Sequence, residues 1–150
     1  MRSLAVVLLT LSLTGCPTAA DDDDHVCGDL TRAMEYVAGL EAVGANGTYT
    51  MQLSEAVPAP PDVGDNAWTV MVLDDAGAPV AGCTADIAPF MPDHGHGAAA
   101  EPTWTEDTAT VGQYAVDGMD FFMPGFWEIT ITVDCDGTTD VIVYGFCAEG

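Results

Sequence analysis

From Gly47 to the end of the chain, apolar residues recur at every second position, and this period constrains the fold more than any other feature. In "FWEITITV", Trp127, Ile129, Ile131 and Val133 fall on one side of an extended chain, with Glu128, Thr130 and Thr132 on the other. "TYTMQL" repeats the pattern with Tyr49, Met51 and Leu53, and "AWTVMVLD" with Trp68, Val70 and Val72. Successive side chains of a strand point to opposite faces, so each segment predicts a strand with one buried and one wet face. "VAGCTADI", "VGQYAV" and "DVIVYGF" supply further strands. Turn signals separate them: "DAGAP", the hairpin signal "DCDGTT", and "AVPAPPDVGDN", whose prolines exclude a central strand and make it a connection. Six or seven short strands at this spacing predict an all-β chain folded as an antiparallel sandwich.

One segment reads two ways. In "LTRAMEYVAGLEAVG", Leu30, Met34, Val37 and Glu41 sit at helical spacing with Gly44 placed as a C-cap, while Tyr36–Val37 fits a first strand. Strand plus turn is the favoured expectation. "NGT" at Asn46 has the form of a glycosylation acceptor and is read here as a turn.

The chain opens with Arg2 and a largely apolar stretch, Leu4 to Leu13, that is too short to span a bilayer, which takes about 20 residues. It fits a secretory signal peptide over residues 1–15. "LTGC" closes it and resembles a bacterial lipobox, which implies cleavage before Cys16 and a lipid on that residue. Residues 16–26, "CPTAADDDDHV", read as an acidic, disordered tether, because four consecutive aspartates repel one another. Residues 27–150 are then one domain's worth of chain. The expected location is the periplasmic face of a bacterial membrane or the cell surface, held by the lipid.

Charge narrows the partners. The chain has 24 acidic residues, no lysine, two arginines and a formal charge of −22, and the only base after residue 15 is Arg32. Phosphate backbones are bound by Lys and Arg, so nucleic acid is excluded as a partner, and anionic membrane surfaces with it. Contact with a membrane is expected through the lipid on Cys16, and an envelope protein is the expected macromolecular partner. Apart from Cys16 the cysteines are Cys27, Cys83, Cys135 and Cys147, an even set without the spacing of a CxxC metal motif. In an exported chain these read as two disulfides with three connectivities open. Cys83–Cys135 with Cys27–Cys147 is the favoured set, since the second bridge ties the two ends of the domain together.

The segment "NAWTVMVLDDAGAPVAGCTADIAPFMPDHGHG…GQYAVDGMDFFMPGFWEITITV" carries an N-x-W-x-V strand, a D-x-x-G-x-P-V turn, an MP-x-H loop, a G-x-Y strand and an M-x-G-x-W-E strand start. Over residues 66–133 it resembles the YtkA-like domain, related to the FixH family of cell-envelope proteins. The resemblance implies an immunoglobulin-like β-sandwich of about seven strands on an exported or membrane-anchored protein. For some relatives it also implies a role near copper handling or oxidase assembly.

Enzyme chemistry lacks its parts. Beyond residue 15 there is one serine, Ser54, no lysine and one arginine, so serine-triad, Schiff-base and arginine-clamped phosphoryl chemistry are not expected. The 24 acids single out no catalytic pair. The one concentration of ligand chemistry is "FMPDHGHG", Phe90 to Gly97, and "FMP" returns at Phe122 to Pro124. Imidazole suits copper and zinc, and thioether selects Cu(I), so Met91, His94 and His96 form a ligand set of mixed softness. In an extended loop, His94 and His96 would point to one side. Met123 is the expected fourth ligand if the two loops meet at one end of the sandwich, with Met119 in reserve and Asp93 available to a harder ion. Copper is therefore the expected cofactor. The alternative is a structural or protein-interaction module in which Phe90 and Phe122 pack under paired turns and Met91 and Met123 fill gaps. His25, beside the four aspartates, offers at most loose cation binding. Trp104 stands alone, too little for a sugar platform.

Overall fold

A computed structural model describes residues 26–27 and 30–150. The expected signal peptide and tether, with Cys16, the aspartate run and His25, lie outside the described residues. A short 3-10 turn, Leu30–Arg32, precedes nine strands: β1 (Leu40–Val43), β2 (Tyr49–Val57), β3 (Gly64–Asp74), β4 (Cys83–Met91), β5 (His96–Gly97), β6 (Thr103–Glu106), β7 (Gln113–Phe121), β8 (Gly125–Cys135) and β9 (Thr138–Ala148). They form two antiparallel sheets, a five-stranded one in the order β1-β2-β3-β7-β6 and a four-stranded one in the order β5-β4-β8-β9. The strands read from period-two patterning are β2, β3, β4, β7, β8 and β9. β5 and β6 are too short to alternate visibly. The ambiguous early segment resolves as turn plus strand, with the strand at Leu40 rather than at Tyr36–Val37.

The inward rows meet between the sheets. Met51, Leu53, Val70, Val72, Ile129, Ile131 and Val133 are all fully buried, each contributing about 1.5–3 kcal/mol relative to an exposed side chain. Trp68 from one sheet meets Tyr144 and Phe146 from the other edge-on, with ring centroids 5.6 Å apart in both pairs. The Tyr144 hydroxyl donates across the same gap to the Met51 carbonyl at 2.7 Å. Burial pushes the Tyr144 hydroxyl's pKa far up, so it stays a donor at every ordinary pH.

At one end of the sandwich, the β1–β2 turn docks on β9 through a buried carboxylate. Asp140 accepts the backbone N–H groups of Asn46, Thr48 and Val141 at 2.8 Å and that of Tyr49 at 3.1 Å. Burial alone would raise the pKa of Asp140, yet these four N–H groups outweigh it and hold the carboxyl below its ordinary range. The β8–β9 hairpin closes at the same end through Asp136 and Gly137, at φ 58° and 82°. Two positive φ values in succession are what a two-residue hairpin turn of this hand requires.

The disulfides are Cys83–Cys135 and Cys27–Cys147. Cys83 and Cys135 are register partners on β4 and β8, and their Cα atoms are 4.2 Å apart. Cys27–Cys147 ties the residues ahead of the first strand to β9.

Candidate metal centre

The opposite end of the sandwich gathers the β4–β5 turn, the β7–β8 loop, the proline-rich β2–β3 connection and the end of β9. Asp62 knits the last two together by accepting the N–H groups of Glu149 and Gly150 at 2.8 and 2.9 Å. The two Phe-Met-Pro loops meet here. The β4–β5 hairpin is tight: His94 and Gly95 both donate their N–H groups to the Met91 carbonyl, at 3.2 and 2.8 Å. Gly95 takes φ 72°, a conformation that glycine adopts without strain. The stretch from Met91 to His96 is therefore a turn rather than an extended loop. His94 and His96 approach one another because the chain curls, not because of a strand period.

The hairpin register orients the donors. Met91 and His96 are opposite one another on β4 and β5, as are Phe90 and Gly97. Opposite residues of an antiparallel pair share a face, so Met91 and His96 both point inward and Phe90 points out. Accordingly, Met91 is fully buried and Phe90 is 40% exposed. Phe90 does not pack beneath the turns, contrary to the packing alternative. It stands one position out of phase with the inward row of β4. His94 is exposed and His96 half-buried.

Gly125, at the start of β8, forms the floor. A Cβ built on it would lie 2.5 Å from Met91 Cε and 3.9 Å from His94 Nε2, so both side chains converge on this residue. The His94 and His96 rings have centroids 5.8 Å apart. Two imidazoles on one ion, with metal–nitrogen bonds of about 2.0 Å, hold their centroids roughly 5–6 Å apart. His96 stacks on Phe122 from the second loop at 5.2 Å and meets Trp127 edge-on at 6.4 Å. Met123 follows Phe122 and packs, partly buried, against the core. Its carbonyl accepts the Trp127 indole N–H at 3.1 Å, which fixes the loop. Met119 is fully buried on β7 as part of the core.

Among the described buried side-chain nitrogens and oxygens, two lack a partner: Trp68 Nε1 and His96 Nδ1. A buried imidazole nitrogen without a partner costs free energy unless something fills the position. Stacking on Phe122 covers the face of the ring, whereas an imidazole binds metal through nitrogen lone pairs in the ring plane, so the stack and a metal bond do not compete. By residue type this donor set, one thioether and two imidazoles, is of the kind that suits a soft ion.

Asp93 takes no part in this convergence. Arg32 grips it, Nη1 to Oδ1 at 3.0 Å and Nη2 to Oδ2 in a second, short contact. That contact, foremost by hydrogen bonding, holds the Asp93 carboxyl below its ordinary pKa. Among the described residues, no three His, Cys, Asp or Glu side chains come together in a way that could hold an ion. The sequence marks Arg32 only as the single base after residue 15, and nothing local marks its contact with Asp93, 61 positions away.

Comparison with known families gives one match. Residues 44–132 match the model of the YtkA-like family. The chain belongs to the YtkA-like family. The matched part of this YtkA-like protein runs from the β1–β2 turn into β8 and contains both Phe-Met-Pro loops. Cys27, Arg32, Asp140 and β9 lie outside it. No curated protein and no solved structure matches the chain.

Proposed function

We propose that this YtkA-like protein is a non-enzymatic accessory lipoprotein of the bacterial cell envelope that holds a copper ion between Met91, His94, His96 and Met123, to store or deliver it. The observation that carries the reading is the cross-strand pairing of Met91 with His96, with His94 brought to the same floor at Gly125. The partnerless His96 nitrogen supports it independently. Thioether and imidazole together favour Cu(I) over harder ions. Bound there, copper would supply binding and exchange rather than catalysis. The protein's own contribution is to shield the ion from below with buried Met91 and to present exposed His94 to solvent. Anchorage comes from the lipid on Cys16, and the strong negative charge concentrates cations near the surface.

The test is Cu(I) affinity by competition with a coloured chelator, with ascorbate as reductant so that the disulfides stay intact. One-to-one binding that is lost in a His94→Ala/His96→Ala variant supports the reading. Equal affinity in that variant would sink it, and would leave a protein-interaction module whose exposed Phe90 and Phe122 shape a binding end. Mass spectrometry of the mature protein checks the anchor: a terminus without lipid at Cys16 removes the lipoprotein part.

A further inference from the structure

The only basic residue after position 15 is spent on the histidine hairpin. Arg32 meets Asp93 with both terminal nitrogens, one to each carboxylate oxygen. Its guanidinium also lies 4.4 Å above the Phe126 ring, and Nη2 donates to the Cys27 carbonyl at 3.3 Å. Phe126 is the register partner of Cys147, which is bridged to Cys27. The guanidinium is therefore seated on a ring and a carbonyl that the disulfide ties to one another, and from that seat it reaches the Asp93 carboxylate. A planar, forked cation can hold all three, whereas an ammonium would act as a single point charge.

Asp93 sits immediately before His94 and is the hard donor nearest the two imidazoles in the chain. Released, it would complete an oxygen–nitrogen–nitrogen set of the kind that binds zinc. In the structure it is turned to Arg32, and no such set forms among the described residues. We propose that Arg32 is a specificity-determining residue of the candidate metal centre: by occupying both oxygens of Asp93, it withholds the carboxylate and leaves imidazole and thioether as the available donors. The proposal deepens the copper reading and rests on it for the identity of the favoured ion. The withheld carboxylate is a separate matter that a second ion can probe. Arg32 lies outside the residues matched by the family model, so this selection belongs to the chain's own N-terminal segment.

The experiment titrates the full chain with Zn(II) and with Cu(I), as wild type, Arg32→Gln and Arg32→Gln/Asp93→Asn. The Arg32–Asp93 pair is largely exposed, so releasing Asp93 from it is worth only a few-fold in affinity. The expected result is Zn(II) affinity in Arg32→Gln raised by about two- to fivefold, with the gain abolished in the double variant and Cu(I) affinity changed much less. Unchanged Zn(II) affinity in Arg32→Gln overturns the proposal, as does a gain that survives Asp93→Asn. Should Arg32→Gln lose the fold, Arg32→Lys is read in its place, and it should show a smaller gain of the same sign. If wild type binds no Cu(I), the copper reading fails, while the Zn(II) comparison still decides whether Arg32 withholds Asp93.

Discussion

Gly44 has no room for a side chain because of Asp140: a Cβ built on Gly44 would stand 2.2 Å from Oδ2 and 2.3 Å from Cγ of that carboxylate. The carboxylate cannot swing aside, since four backbone N–H groups hold it. Gly44→Ala should therefore destabilise the protein by about 2–4 kcal/mol, as overpacking against a fixed group does. Urea unfolding that gives a midpoint equal to wild type would refute this account of the turn.

The same carboxylate makes stability depend on acid. The pKa of Asp140 in the folded state lies below its unfolded value, which is about 3.9. The stabilisation is then fully present above that value and is lost as pH falls through the folded one. Asp62, lowered foremost by the Gly150 N–H and then by that of Val63, adds in the same direction. Asp140→Asn should cost about 3 kcal/mol near neutrality, because an amide offers one acceptor oxygen to four donors and charged acceptors are the stronger ones. The deficit should shrink below about pH 4. A deficit that stays constant from neutral pH down to pH 2 would show that the charge of Asp140 contributes nothing.

Met91 separates packing from ligation. Leucine keeps nearly the same volume, so Met91→Leu should cost less than about 1.5 kcal/mol. It removes the thioether, and Cu(I) affinity should fall by about tenfold or more. Met91→Ala should instead cost about 2–5 kcal/mol by opening a cavity beneath Gly125. Chelator competition alongside thermal melts reads both effects, and undiminished Cu(I) affinity in Met91→Leu would remove sulfur from the site.

Tyr114 tests the other rim of the fold. Its hydroxyl accepts the Cys83 N–H and donates to the Val80 carbonyl, both at 2.9 Å, while its ring stacks on Trp104 at 4.4 Å. Tyr114→Phe leaves the stack and strands two backbone groups, for an expected loss of about 2 kcal/mol. A loss much smaller than that would mean water replaces the hydroxyl without penalty.

The fold was legible where side chains alternate over at least five or six residues. β8 states its inward face four times, at Trp127, Ile129, Ile131 and Val133, and no other conformation satisfies that row. β5 has two residues and β6 has four, so neither offers a period to read. Trp104 looked solitary for that reason. Its indole donates to the Cys83 carbonyl at 2.9 Å, a partner on a different sheet, and the pairing exists only once the sheets have closed.

The candidate site was legible as composition and only partly as geometry. Met, His and His within six positions marked the candidate donors, and the repeated Phe-Met-Pro raised the condition, met in the fold, that two loops come together at one end. The orientation of Phe90 could have been read as well, because it is out of phase with Cys83, Ile87 and Met91 on β4. What local sequence does not contain is the Arg32–Asp93 contact or the role of Gly125 as floor. Both depend on which strand ends the topology brings together.

The bridge between Cys27 and Cys147 also decides how the molecule bears force. A pull on the chain ahead of Cys27 passes through the sulfur link into the end of β9, bypassing the residues that lead to β1. β9 is paired with β8 along all 11 of its residues, so the load arrives as shear across a full ladder instead of peeling one strand at a time. The segment that carries Arg32 lies in parallel with the stressed path rather than in it. A tug on the leading chain would thus be borne first by the β8–β9 ladder, and would reach β4 and β5, which carry the histidine hairpin, only through that ladder.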